Sequence, residues 1–153
     1  MLFRSVKLID EAVLPLCSPR LLDGPRGLKH AADLARFDLI HFEMPMAVPG
    51  AVPTWADWLA HAGITGVDAT RGLRVDAADH ALEAAAEGTG VVLAYKTIAA
   101  GDMRSGRLVS PFGPELPIVG RAYHLVCPLG REKQHKIRVF RAWLEAEVAA
   151  MRP

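Results

Sequence analysis

The sequence predicts an α/β fold, with a largely parallel or mixed sheet that helices cover on both faces. The main observation is that short apolar segments of strand length alternate with helical segments along the chain. Residues 76–95 contain this unit once: a helix of small residues, the glycines Gly88 and Gly90, and an apolar strand. Such alternation is typical of a sheet that is buried on both sides.

Gly88 and Gly90 follow a helix and precede a strand. A phosphate-binding glycine loop has the reverse order, because the amino terminus of its helix must face the phosphate. We therefore predict that the two glycines end the helix and allow close packing, and that they are no nucleotide-binding motif.

The remaining elements follow from apolar periodicity and from prolines and glycines at the boundaries. The predicted strands are 13–17, 39–42, 71–75, 91–95 and 122–127, and the predicted helices are 28–35, 54–61, 76–87, 97–103 and 133–151. Thr54 is expected to cap its helix, with Gly63 just past the end. The last helix carries an apolar stripe: Ile137, Phe140, Leu144, Val148 and Met151. The similar segments VLPLCSP and YHLVCP suggest two strands that cross between lobes and form a hinge.

Composition excludes several classes of protein. With 153 residues, 51% hydrophobic and 23% charged, the chain is long enough for one globular domain or two small lobes. A net charge of +1 with scattered Lys and Arg argues against strong nucleic-acid binding by this chain alone. No apolar run is long enough to span a membrane, and the first residues do not resemble a signal peptide. The two cysteines form no disulfide framework, so a cytoplasmic location is expected.

The chemistry-bearing residues form no catalytic motif. The six histidines have none of the spacings of a zinc site, and no Gly-x-Ser-x-Gly segment is present. Cys17 is better explained as a buried strand residue than as a nucleophile. We predict no enzyme, no metal and no cofactor.

Trp55 and Trp58 share one face of a helix. Core packing is the expected role of Trp58. For Trp55 two roles stay open, core packing or the lining of a cleft, because ligands of α/β proteins bind where helices begin at the carboxyl ends of strands.

Asp76 and Asp79 stand at the start of the helix that follows the third strand. The simpler interpretation is a carboxylate capping box that also complements the helix dipole. The functional alternative is that this helix start faces a cleft, where one carboxylate binds an effector that carries an amine or hydroxyl groups.

Several segments together carry a family resemblance: LLDGPRGLKHAADLARFDLIHFE, TWADWLAHAG, HALEAAAEGTGVVLAYKTIAAGDMRSGRLVSPFG, RAYHLVCP and FRAWLEAE. They resemble the effector-binding domain of LysR-type transcriptional regulators, in the subgroup of the glycine-cleavage and β-lactamase regulators. IDEAVLPLCSPRLL is similar to the first crossover strand of that family.

The resemblance implies a two-lobed fold like that of type II periplasmic binding proteins. It implies a first crossover strand at 1–18, lobe II at 19–118, and a second crossover with the return to lobe I at 119–153. Relative to the family, the chain has no helix-turn-helix and no linker helix. We expect that it is truncated at its amino terminus and lacks the first part of lobe I.

The resemblance also implies the partners and the site. The partners would be a small-molecule effector, such as an amino acid or a cell-wall fragment, and further copies in a homo-oligomer. DNA would be bound only through a helix-turn-helix outside this chain, and no membrane is involved. A fragment that self-associates through exposed lobe I surface is the alternative. The expected effector-binding residues are Ser18, Glu43, Thr54, Trp55, Asp76, Ala77, Asp79, Tyr95, Arg121 and Tyr123, with Lys96 a weaker candidate.

Overall fold

The structure, a computed structural model, describes residues 2–43, 53–112 and 115–150, without the side chains of residues 116–121. Most of the predicted proline-rich loop at 44–53 lies outside these ranges. The helices and strands are β1 (Phe3–Leu16), β2 (Leu39–Phe42), α1 (Trp55–His61), β3 (Leu73–Val75), α2 (Ala78–Ala86), β4 (Val91–Tyr95), α3 (Lys96–Ser105), β5 (Leu116–Pro128) and α4 (His135–Ala150). Short 3₁₀ helices span Pro19–Leu22 and Ala31–Arg36.

The strands of the described chain form one mixed sheet in the order β3-β2-β4-β1-β5. β2 runs parallel to β3 and β4, and β1 runs antiparallel to β4 with Val13 opposite Tyr95. The predicted α/β class with a mixed sheet is confirmed.

Two apolar layers cover the sheet of β2, β4 and the second half of β1. Alternate residues of β4 face opposite sides, so Val91 and Leu93 join one cluster with Trp55 and Trp58, while Val92 joins the other. The first layer holds α1 and the 3₁₀ helices, and the second holds α2 and α3. Every residue of β4 is buried, as expected for a central strand covered on both sides.

The boundaries of some elements differ from the prediction. β1 begins at Phe3 rather than at residue 13, because its first half carries charged residues and is largely exposed, which hides the apolar signal of a strand. The predicted helix 28–35 is instead a 3₁₀ helix at Ala31–Arg36.

The two glycines before β4 have the predicted structural roles. Gly88 adopts a φ of 83° directly after Glu87, the C-cap of α2. A Cβ at Gly90 would lie 2.2 Å from the carbonyl oxygen of Asp38. Gly90 therefore lets β4 approach the residue before β2.

The chain divides into two compact units. Unit 2 is the continuous segment Ala12–Ile118, and unit 1 combines Met1–Glu11 with Val119–Pro153. β1 and β5 are the strands within which the chain passes from one unit to the other. No helix among the described residues has the length and apolar character needed to cross a membrane.

Candidate functional site

The parallel strands β2, β3 and β4 end at the same edge of the sheet, at Phe42, Val75 and Tyr95. Phe42 lies opposite Val75 in the register, and the rings of Phe42 and Tyr95 contact edge to face with centroids 6.3 Å apart. We call this the carboxyl edge. Ligands of open α/β sheets bind outside the carboxyl ends of the strands, where the following loops and helices begin.

The carboxyl edge brings together part of the predicted site: Glu43, Asp76, Ala77, Asp79 and Tyr95. Glu43 follows β2, and its N–H donates to the carbonyl of Val75 at 2.9 Å. Its carboxylate forms a salt bridge with Arg74 of β3. The side chains of Asp76 and Asp79 are exposed. The edge therefore presents carboxylates to solvent.

The start of α2 differs from the predicted carboxylate capping box. Ala77, not Asp76, is the N-cap, with φ −128° and ψ 131°, and no side chain caps the helix. Asp79 lies in the first turn, where its charge complements the helix dipole. The capping role is wrong because the helix begins one residue later than the acids suggest, and an alanine side chain cannot accept a hydrogen bond.

An apolar pocket lies beside these acids, between α2, β4 and α3. Its cavity volume is about 10 Å³, room for about one water molecule. It is lined by Phe42, Ala78, Ala81, Leu82, Val92, Leu93, Ala94, Tyr95 and Ile98. Asp76 and Asp79 flank Ala78 of this lining in sequence, so exposed carboxylates lie beside an apolar depression that does not by itself enclose a small molecule.

Tyr95 and Lys96 lie where β4 joins α3. Tyr95 is buried and lines the pocket. The ammonium group of Lys96 pairs with Glu115 at 2.7 Å. Lys96 therefore already has a carboxylate partner at this end of the site.

Thr54 and Trp55 both have structural partners. Thr54 is the N-cap of α1, as predicted; its hydroxyl accepts from the N–H of Asp57 and donates to the carboxylate of Asp57 at 2.7 Å. Trp55 lies in the core, packs edge to face on Trp58, and donates its indole N–H to the carbonyl of Ile40 at 3.1 Å. Of the two roles left open for Trp55, the structure shows core packing. Trp58 is in the core, as predicted.

Ser18 lies away from the carboxyl edge. Because β1 is antiparallel to β4, Val13 is opposite Tyr95 while Leu16 is already opposite Val92, near the start of β4. Ser18 is buried, and its N–H donates to the carbonyl of Ala85 at the far end of α2. The register therefore places Ser18 away from the predicted residues at the carboxyl edge.

Arg121 and Tyr123 belong to β5 within unit 1. Tyr123 is exposed, and the side chain of Arg121 is outside the described residues. Neither belongs to the group of unit 2 residues at the carboxyl edge.

Within the described ranges, no group of histidine, cysteine, aspartate or glutamate side chains could hold a metal ion. Cys17 is buried, as predicted, and burial raises the pKa of its thiol to about 11. A thiol with so high a pKa is a poor nucleophile near neutral pH.

Sequence reasoning missed the apolar part of the site, which includes Phe42, Ala78 and Ile98. The signal was present for Phe42, the last residue of a predicted strand. Ile98 is half exposed at the start of α3, where an apolar side chain has no evident packing role. The pocket itself depends on how α2 and α3 pack on β4, which no local pattern specifies.

A mixed sheet covered on both faces, with an acidic rim and an apolar pocket at the ends of its parallel strands, is the architecture of an α/β ligand-binding domain. The model of the LysR substrate binding domain matches residues 2–149. The chain belongs to this family.

Named relatives and solved structures are consistent with this assignment. The chain is 34% identical over 147 residues to the glycine cleavage system transcriptional activator of Escherichia coli K12, covering 96% of this chain and 46% of that protein. It is 31% identical over 149 residues to the HTH-type transcriptional regulator PerR of the same strain, covering 95% and 46%. The chain thus spans about half the length of these relatives.

The fold is that of solved effector domains. The effector domain of the transcriptional regulator AmpR of Pseudomonas aeruginosa superimposes with a TM-score of 0.68 at 25% identity, covering 97% of this chain and 66% of that one. The predicted type II periplasmic-binding-protein-like fold is confirmed.

Proposed function

We propose that the chain is the effector-sensing part of a LysR-type transcriptional regulator and that it performs no catalysis. In this role it binds a small metabolite at the carboxyl edge of unit 2. The observation that carries the proposal is the convergence of Glu43, Asp76 and Asp79 beside the apolar pocket, in a chain of this family.

The charge of the edge favours a particular class of effector. Glu43 is already paired with Arg74, whereas Asp76 and Asp79 are exposed beside a helix start without a side-chain cap. An ammonium group near two carboxylates gains favourable electrostatic energy, and an anion there would be repelled. A small amine with an apolar portion suits this combination.

The binding event would reach the rest of the regulator through β1 and β5. These two strands continue from unit 2 into unit 1, so a shift at their unit 2 ends is carried along a continuous backbone. The same proposal holds that the whole regulator is cytoplasmic, forms a homo-oligomer and contacts DNA.

The experiment is a thermal-shift screen of this chain against the amino acids, simple amines and cell-wall fragments. Asp79→Ala should abolish the shift produced by any hit, because it removes a carboxylate from the rim. The unliganded melting temperature should hardly change, since Asp79 makes no cap. A ligand at a hundred times its Kd stabilises the folded state by about 2.7 kcal/mol, which such a screen detects.

The matched control is Glu87→Ala, an acid at the opposite end of the same helix. It should leave the ligand-induced shift intact. Equal losses in both variants, or a shift that survives in both Asp76→Ala and Asp79→Ala, would rule out the carboxyl edge as the site.

A further inference from the structure

Arg107 joins two helices that both begin at the carboxyl edge. Its Nη2 donates to Oε2 of Glu83 on α2 at 2.7 Å, and its Nη1 donates to Oδ1 of Asp102 on α3 at 2.9 Å. α2 follows β3, and α3 follows β4. One guanidinium group therefore links the two helices between which the apolar pocket lies.

Each of the two carboxylates lies one helical turn from a residue at the candidate site. Glu83 is four residues after Asp79, the exposed acid in the first turn of α2. Asp102 is four residues after Ile98, which lines the pocket. Residues four apart in a helix share a face and are about 6 Å apart along its axis. Arg107 therefore holds the faces of α2 and α3 that also carry Asp79 and Ile98.

The backbone is held on both sides of Arg107. Gly106 ends α3 with a φ of 74°, in the left-handed region, and its N–H donates to the carbonyl of Met103 at 3.2 Å. Leu108 is fully buried in the layer that contains α2 and α3, and its N–H donates to the carbonyl of Asp102 at 3.2 Å. A charged side chain on a backbone held in this way can fix the position of the groups that it binds.

The two ion pairs constrain position more than they stabilise the fold. The side chains of Arg107 and Glu83 are 47% and 59% exposed, and exposed ion pairs add little to the free energy of unfolding. Apolar packing constrains α3 only weakly, because Ala99 is the one buried residue among its ten and an alanine makes few contacts. The link through Arg107 therefore supplies a constraint on α3 that the core does not.

We propose that Arg107 is a positioning residue of the effector site. It fixes the start of α2 relative to the start of α3, so that one ligand can contact Asp79 and Ile98 together. It acts through Glu83 and Asp102 and does not contact the ligand itself. The inference rests on the proposed function, since the two helix starts matter for binding only if the effector lies at the carboxyl edge.

The probe for the test is n-butylammonium, which combines an ammonium group with an apolar portion. Its Kd is measured by titration of this chain, followed through the NMR shifts of the backbone amides. Arg107→Met keeps a long side chain but breaks both ion pairs. It should raise the Kd about fivefold, a typical effect for a residue outside a binding site. The melting temperature should hardly change, because the lost ion pairs are exposed.

Two further variants separate position from charge. Arg104→Met is the matched control, since it removes an exposed cation from the last turn of the same helix. Removing a cation favours ammonium binding, so a weaker Kd in Arg107→Met alone cannot come from its charge. Glu83→Gln breaks only the link to α2 and should also weaken binding. The double variant Glu83→Gln/Arg107→Met should bind within about twofold of Arg107→Met, because both changes remove the same link.

The proposal is overturned by a wild-type Kd in Arg107→Met, by an equal rise of the Kd in Arg104→Met, or by effects that multiply in the double variant. A wild type whose edge amides do not respond to n-butylammonium would overturn the proposed function for amines. Hydrogen exchange of the unliganded protein then tests Arg107 by itself. Amides of residues 81–83 and 99–101 should exchange faster in Arg107→Met than in Arg104→Met, and equal exchange would overturn the positioning role.

Discussion

Gly90 shows how one missing side chain can determine where a strand lies. The backbone of Asp38 occupies the place where a Cβ would be, and the N–H of Val91 donates to that same carbonyl of Asp38 at 2.9 Å. Because the close neighbour is backbone, it cannot rotate out of the way as a flexible side chain would.

Gly90→Ala should therefore destabilise the protein by at least about 2 kcal/mol, through displacement of β4 from β2. Gly101→Ala is the matched control, since Gly101 lies inside α3 and a Cβ there meets nothing within 4 Å. It should stabilise the protein by up to about 1 kcal/mol, the helix-propensity difference between the two residues. Urea unfolding measures both; equal effects would refute the steric explanation.

Cys17 should be unreactive in the folded protein. Its pKa of about 11 lies above the ordinary value because burial disfavours the thiolate, so at pH 8 only roughly one molecule in a thousand carries the reactive form. A Cys127→Ala variant leaves Cys17 as the single thiol. Its labelling by a disulfide reagent should then proceed at the rate of unfolding and accelerate in urea.

The same shift makes stability fall at alkaline pH. A thiol whose folded pKa is raised stabilises the fold below its unfolded pKa, and this contribution is lost as pH rises from about 9 to about 11.

Labelling of native Cys17 as fast as that of an exposed thiol would contradict the buried environment.

At the scale of elements, local signals explain which boundaries could be predicted. Thr54 was identifiable as a cap because it directly precedes a helical run after a proline. The predicted start of α2 was wrong, because the acids Asp76 and Asp79 suggest a capping box, whereas the N-cap in the structure is Ala77 between them. The edge formed by β2, β3 and β4 was inferable from their alternation with helices. The pocket was not, since it depends on which faces tertiary packing covers.

Phe140 illustrates this last limit. The periodicity of α4 predicts one apolar stripe that includes Phe140, yet Phe140 is half exposed and Val148 is buried. The apolar face of a helix is buried along its whole length only where one neighbouring surface covers all of it.

The elements should also differ in local stability. Every residue of β4 is buried between two layers, whereas in α4 only Val148 is buried. Amide hydrogens of β4 should exchange only through global unfolding, and those of α4 through smaller openings that expose less surface. Hydrogen exchange followed by mass spectrometry distinguishes the two. Protection in α4 equal to that in β4 would contradict the expectation.

At the scale of the whole molecule, the proposed effector site belongs to one of the two units. Unit 2 holds both apolar layers and the carboxyl edge, so it carries the proposed effector site. Unit 1 holds α4, whose Phe140 and Trp143 are half exposed. Variants of α4 should therefore leave effector binding at the carboxyl edge unchanged.

The way the chain passes between the units also bears on biosynthesis. Unit 2 is encoded without interruption from Ala12 to Ile118, but unit 1 is assembled from both ends of the chain. On the ribosome, the segment that forms unit 2 emerges complete before Val119–Pro153, the larger part of unit 1, has been made. Residues 2–11 can pack into unit 1 only after β5 and α4 have been made. Bringing these distant segments together has an entropic cost, whereas unit 2 is one continuous segment. We therefore expect unit 1 to form after unit 2.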